Sequence, residues 1–339
     1  MGVVLVTGAA GFIGSHLCAR LLERGDRVRA IDNFDPYYHP AIKHQNLAAL
    51  QQEARFEWVE GDLNTAALEP LLTDVDCVFH LAARAGVRRS WGASFSAYVA
   101  ANLTATQRLF DAVRDRSLQR LVFASSSSVY GELDRALAGG QPAGGEDAAA
   151  GVGEEAVRRP ISPYGVTKLA GEGLAHAYAS GYGVPIVALR YFTVYGPRQR
   201  PDMAFHRFLR AALEERSVTV YGDGGQTRDF TYVDDAVGAT LAAAERGRPG
   251  GVYNVGGGSP ASVLEVLATI EQLCGRPVAR EHRPSQPGDP RATRARTARA
   301  RADLGYAPRT GLSAGLAAMH AWMQRFLQTP AAECHDEAD

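Results

Sequence analysis

Four cysteines in 339 residues, at Cys18, Cys77, Cys274 and Cys334, are too few and too scattered for a disulfide framework or a metal-ligand spacing. Cys18 and Cys77 fall in apolar patterns and read as small buried hydrophobes. An excess of charge of either sign is also missing. A formal net charge of -1 gives no long-range attraction for nucleic acid or an anionic membrane, so phosphate binding has to come from local arginines. No apolar run approaches membrane-spanning length. Met1 leads directly into a strand pattern without room for a signal peptide, so a reducing, cytoplasmic setting is expected. What remains is an ordinary globular composition, 46% hydrophobic and 22% charged, long enough for one large α/β unit or two joined domains.

Short β-branched runs alternate with longer helical patterns through the first half. Strands are expected at Val3–Val6, Arg27–Ile31, Phe56–Glu60, Cys77–Leu81, Leu121–Ser125 and Ile186–Arg190, with helices between them, including Ser15–Arg24 and Ser94–Arg116. Such alternation predicts an α/β chain built on a doubly wound parallel sheet of Rossmann type. Residues 1–190 are expected to form its main body, joined by later segments, and residues 191–328 a smaller α/β lobe. Between Gly131 and Pro160 the composition shifts to Gly, Ala and Glu without a hydrophobic period, which reads as a long surface loop. The segment 329–339 reads as a flexible polar tail. Arginines from Arg291 to Arg301 stand at roughly helical spacing and predict a solvated helix face.

The first strand runs into Thr7-Gly8-Ala9-Ala10-Gly11-Phe12-Ile13-Gly14. A strand, a glycine turn and a helix start together cradle a dinucleotide pyrophosphate on backbone N–H groups. Gly8, Gly11, Phe12, Ile13 and Gly14 are therefore candidate cofactor residues. Asp32, followed by Asn33, ends the second strand, where a carboxylate accepts bonds from the adenosine ribose and repels a 2′-phosphate, favouring NAD over NADP. Asp62 and Leu63 after the third strand, and Leu81, Ala82 and Ala83 after the fourth, fall at carboxyl ends, where ligands bind in this architecture. Asp62 is a partner for the adenine amine, and the small alanines let the backbone approach the cofactor. His80, at a strand end, reads as structural.

Ser162-Pro163-Tyr164-Gly165-Val166-Thr167-Lys168 places Tyr164 and Lys168 on one face of a helix opened by Pro163. A free phenol ionises near ~10, but a neighbouring cation favours the phenolate, so this pair is a candidate proton acceptor beside a nicotinamide.

In this order, these features resemble the extended short-chain dehydrogenase/reductase family, and within it the nucleotide-sugar epimerases and dehydratases. The resemblance spans Val3 to about Phe326. It also rests on Ser125-Ser126-Ser127-Ser128-Val129-Tyr130-Gly131, Leu189–Pro197 and Arg228–Asp235. It implies that Ser126 aligns the sugar 4-hydroxyl with Tyr164, that Lys168 bonds the nicotinamide ribose, and that Arg88 and Arg228 hold the nucleotide diphosphate. It implies no metal. A homodimer built through a helical bundle is the family habit.

Relatives that remove water across C5–C6 carry an Asp-Glu pair before Val-Tyr-Gly, and decarboxylases carry a Glu there. Here Ser127 and Ser128 occupy those positions, and hydroxyls cannot serve as the acid and base of an elimination. The stretch from Arg190 to Met203, with Asp32–Tyr38, resembles UDP-glucuronate 4-epimerases, which implies a uronate carboxylate near the serine element and Thr193, with Arg200 restraining the loop. Arg190 and Arg198 fall in the same motif and read as ligand-facing; Asp289 and Arg291 are candidates for the uridine. The expected activity is NAD-dependent 4-epimerisation of UDP-glucuronate. The alternatives are a UDP-glucuronate decarboxylase, a 4-epimerase of another UDP-hexose and, from a different class, a non-enzymatic NAD-sensing regulator.

Overall fold

A computed structural model of the chain describes residues 2–132 and 151–333. Its strands are β1 (Val3–Thr7), β2 (Arg27–Asp32), β3 (Phe56–Glu60), β4 (Val75–His80), β5 (Arg120–Ser126), β6 (Ile186–Tyr191), β7 (Val194–Tyr195), β8 (Val218–Tyr221), β9 (Thr227–Asp229), β10 (Thr231–Tyr232), β11 (Val252–Val255), β12 (Pro260–Ser262) and β13 (Arg280–Arg283). The α-helices are α1 (Phe12–Arg24), α2 (Pro40–Ala48), α3 (Leu68–Leu71), α4 (Phe95–Val99), α5 (Ala105–Val113), α6 (Pro163–Tyr182), α7 (Ala204–Leu213), α8 (Val233–Arg246), α9 (Val263–Cys274), α10 (Ala298–Leu304) and α11 (Leu312–Phe326).

Seven strands form one parallel sheet in the order β11-β6-β5-β4-β1-β2-β3. The chain winds outward from β1 through β2 and β3, then crosses back to β4 and winds the other way. That reversal opens a crevice at the carboxyl ends of β1 and β4. Val4, Val6, Leu17, Leu21 and Phe79 fill the sheet–helix interface, and residues of α8, β11 and α10 complete the same core. A second core gathers α7, α9 and α11 around Phe205, Leu209, Leu267 and Met319. Short strand pairs β7–β10, β8–β13 and β9–β12 frame it.

Several expectations are corrected. The expected helix over residues 94–116 is broken by a π-helical stretch at Ala100–Thr104, between α4 and α5. Such a bulge is common at functional sites. Its Asn102 donates to Arg84 O and Thr167 Oγ1, both at 2.9 Å, tying the β4 exit to α6. The presumed surface loop lies largely outside the described residues, but its far end is core. Residues Gly151–Glu154 are buried, Val152 bridges Ala295, and Glu154 accepts from Asn254 N at 2.8 Å. The presumed tail begins with a 3₁₀ turn at Pro330–Ala332 whose alanines are buried in the second core; residues 334–339 lie outside the described ones. The arginine-rich segment is extended through Arg296 and helical only from Ala298, because Ala292 and Ala295 form β-bridges.

Candidate active site

A cleft of about 1640 Å³ runs along the carboxyl ends of the sheet, roomy enough for a dinucleotide and a second nucleotide together. Apart from Arg190, Arg198 and the uridine candidate Arg291, every residue singled out above for cofactor, catalysis or substrate lines it, from Gly8 to Asp289. Sequence reasoning misplaced Arg190 and Arg198 in the ligand-facing group.

At its cofactor end the glycine turn is closed against its neighbours. A Cβ at Gly14 would sit 2.2 Å from Gly8 O, and one at Gly8 would sit 2.6 Å from Ala82 N. Gly11 caps α1 without a side-chain bond, leaving first-turn N–H groups available to an anion. Asp32 is buried and accepts from Ala10 N at 3.2 Å and Phe34 N at 2.9 Å. Asn33 Nδ2 donates to Asp62 Oδ2 at 2.8 Å, joining the ends of β2 and β3 across this end of the cleft. Sequence reasoning missed Lys43. Its buried ammonium lies 3.5 Å from Asp32 Oδ1, and the signal for it was a cation on α2, the helix that follows the Asp32 loop. These residues fit a dinucleotide with a free adenosine ribose.

Ser162 caps α6 by accepting from Gly165 N at 3.1 Å, and Pro163 supplies its first turn. A Cβ at Gly165 would lie 2.5 Å from Ser128 O, so glycine lets the helix press against the serine element. Tyr164 is buried beside Ser126, which bonds Ser128 Oγ at 3.1 Å. Burial pushes the Tyr164 phenol up; the Ser126 hydroxyl and the Arg200 charge oppose it. Lys168 donates to Ala124 O at 2.8 Å, and burial pushes its ammonium down to about 8, against Glu172.

Arg200 forks onto Asp202 with two bonds of 2.9 Å and lies 5.6 Å from the centre of the Tyr37 ring. Tyr37 packs over Gly86, and Tyr98 donates to Gly86 O at 3.0 Å, so this loop closes the sugar end around Tyr164. At the far end, Arg88 lies over the Tyr221 ring at 4.2 Å and donates to Asp289 at 3.2 Å. Arg228 donates to the other oxygen of the same carboxylate. Asp289 therefore holds together the two cations proposed for a diphosphate. Arg291 instead forks onto exposed Asp223. His80 is buried between Thr7 and Thr106, with bonds of 2.8 and 2.9 Å, and burial pushes it down to about 3. It is structural.

A model of the NAD dependent epimerase/dehydratase family matches residues 4–256. YtcB of Bacillus subtilis, an uncharacterized UDP-glucose epimerase, is 45% identical over 96% of this chain and 99% of its own length. The UDP-glucuronate 4-epimerase of Thermodesulfobacterium geofontis is 36% identical, covering 97% of this chain and 98% of its own. Among solved structures, the UDP-glucuronic acid 4-epimerase of Bacillus cereus in complex with UDP-glucuronic acid and NAD superposes with a TM-score of 0.89 at 43% identity, over 96% of this chain and 99% of that one.

Proposed function

This chain belongs to the NAD dependent epimerase/dehydratase family, and from that premise we propose that it is a UDP-glucuronate 4-epimerase, acting in the cytoplasm through a 4-keto sugar. The observation that carries the reading is the composition of the sugar end. Tyr164 stands beside Ser126, and Ser127, Ser128, Thr193 and Arg200 line the same cleft, with no carboxylate in the serine element. A proton acceptor is present, and the acid–base pair of an elimination is not.

Bound NAD supplies a hydride acceptor that takes and returns hydride at the sugar C4. The protein moves the accompanying proton. Ser126 aligns the 4-hydroxyl with Tyr164, which accepts the proton and later returns it; the Arg200 charge favours the phenolate, and Lys168, one helical turn along α6, adds a second cation. Arg88 and Arg228 bind the diphosphate in place of Asp289. This leaves the sugar as the part free to turn between oxidation and reduction. A ketone at C4 is β to the C6 carboxylate, an arrangement that loses CO2 when the breaking bond aligns with the carbonyl. Thr193 and the serine hydroxyls hold the carboxylate out of that alignment.

A panel of UDP-sugars, with products identified by NMR and CO2 trapped separately, tests the reading. UDP-galacturonate without CO2 is expected; a pentose product with stoichiometric CO2 establishes a decarboxylase. The similarity to a UDP-glucose epimerase favours UDP-glucose as the second substrate to test.

We propose a homodimer as the working unit. Val166, Ala170, Gly173 and Ala177 form an exposed, uncharged stripe on α6; exposed Phe95 opens the adjacent α4, and exposed Trp91 precedes the 3₁₀ turn before it. Two copies of this face would build a helical bundle. Sedimentation of the wild type and of Val166→Glu tests it; a monomeric wild type removes it. Among the described residues no helix is long and apolar enough to cross a membrane.

A further inference from the structure

Tyr164, Lys168 and Glu172 follow one another at four-residue intervals on α6, and β5 meets them with three consecutive residues. Ser126 lies beside Tyr164, Ala124 O accepts from Lys168 at 2.8 Å, and Ser125 Oγ donates to Glu172 Oε1 at 2.6 Å. Glu172 in turn receives the Arg190 fork, at 2.8 and 2.7 Å. Ser125, Arg190 and Asn254 are register partners across β5, β6 and β11, so they form a buried polar row near the carboxyl ends of three adjacent strands. Tyr130 closes the row, accepting from Arg190 and donating to Asn254, both at 2.7 Å.

Stability alone does not account for this arrangement. The side chains of Arg190 and Glu172 are 1% and 4% exposed, and buried ion pairs are often matched or bettered by apolar residues of the same volume. Its position is informative: it stands one helical turn beyond Lys168. The groups facing Lys168 are Tyr164 and Glu172 on α6, His80 on β4, and the Phe123 ring and Ala124 carbonyl on β5, with Arg190 of β6 behind Glu172. His80 is held neutral by burial, so Glu172 supplies the negative charge. The fork of Arg190 engages both carboxylate oxygens, so Glu172 acts on Lys168 through its field and leaves the ammonium on Ala124.

We propose that Glu172 and Arg190 are positioning residues that keep Lys168 cationic and hold α6 in register with Ala124–Ser126, and so set the pH window in which a Tyr164 phenolate stands beside a cationic Lys168. This rests on the proposed epimerase chemistry, and it is testable without turnover. In the NAD-bound protein, tyrosinate absorbance is titrated against pH, with Tyr164→Phe in each background assigning the signal. Glu172→Gln removes an anion and favours the less protonated form of every neighbour. The Tyr164 titration and both limbs of the kcat/KM profile are expected to move to lower pH by about one unit. Arg190→Lys keeps the charge but cannot fork, freeing a carboxylate oxygen for Lys168, so the shift is expected in the opposite direction. A folded, NAD-bound variant of either kind whose titration matches the wild type overturns the proposal. Failure of the wild type to epimerise UDP-glucuronate counts against the proposed substrate alone.

Discussion

Lys168 gives its hydrogen bond to the carbonyl of Ala124, 2.8 Å away, one strand residue short of the Ser125–Glu172 contact. The ammonium is thereby fixed, one helical turn along α6 from Tyr164, in a buried site whose desolvation brings it down to about 8. Activity of the wild type should therefore fall as the pH rises through about 8, because the neutral amine no longer favours the phenolate. Lys168→Met should be slow throughout and lack that alkaline limb. A pH–rate profile of the two proteins checks this; an unchanged limb in Lys168→Met assigns it elsewhere.

Tyr164→Phe removes the proton acceptor and leaves the packing against Tyr98 in place. Epimerisation should drop by about 10²–10⁴-fold with the fold and NAD binding retained. Single-turnover kinetics beside a cofactor-binding titration make the check, and near-normal turnover would remove Tyr164 from the mechanism.

Arg228→Ala should weaken UDP binding by about 2 kcal/mol, roughly 30-fold, the scale of a hydrogen bond to a charged group. The effect should appear in KM far more than in kcat, since the diphosphate is held equally before and during the reaction. Calorimetry with UDP measures it directly. An unchanged affinity would leave the Arg228–Asp289 pair as a structural tie between loops.

Asp32 is paired with Lys43, which alters what is needed to change cofactor preference. Asp32→Ala removes the repulsion toward a 2′-phosphate and leaves a buried cation beside the vacated position. That single change should let NADP bind, where Lys43→Ala added to it should abolish the gain. Dissociation constants for NAD and NADP with the three proteins decide it; a wild type that already binds both equally contradicts the role given to Asp32.

The strand alternation, the glycine turn and the Tyr164–Lys168 spacing were legible because each is a local pattern imposed by period or by backbone geometry. Five of the six expected strands end within a residue of their expected limits at both ends; β4 begins two residues earlier, at Val75, where the bulged register with β1 starts. Arg190 was misread because an arginine in a ligand-rich motif looks the same whether it faces a phosphate or a buried carboxylate. Its partner Glu172 lies on a different element, 18 residues earlier. Residues 151–154 were misread for a related reason. Their composition is that of a loop, and they are buried because Asn254 and Ala295, far along the chain, pair with Val152 and Glu154. Pairings made through the fold leave no period in the sequence.

His80 should govern part of the acid sensitivity of the fold. Its ordinary value of 6.5 applies to the unfolded chain, whereas burial between Thr7 and Thr106 pushes it to about 3 in the folded one. Between those limits the unfolded chain holds a proton that the native protein does not. Stability therefore rises with pH across this window and is lost as the pH falls below about 6.5, at about 1.4 kcal/mol per unit. His16, pushed down to about 4 by burial and Arg198, adds to the loss in the same direction. His80→Gln keeps a side chain able to bond a threonine hydroxyl but cannot take up the proton. Urea unfolding of both proteins between about pH 7 and about pH 5 should show a shallower slope for His80→Gln, by a difference that approaches one proton toward about pH 5. Carboxylates such as Asp202, held low by Arg200 against their own burial, contribute equally to both proteins and cancel in the comparison. Equal slopes would mean that His80 is protonated inside the fold, and that its bonds to Thr7 and Thr106 are made by an imidazolium donating at both ring nitrogens.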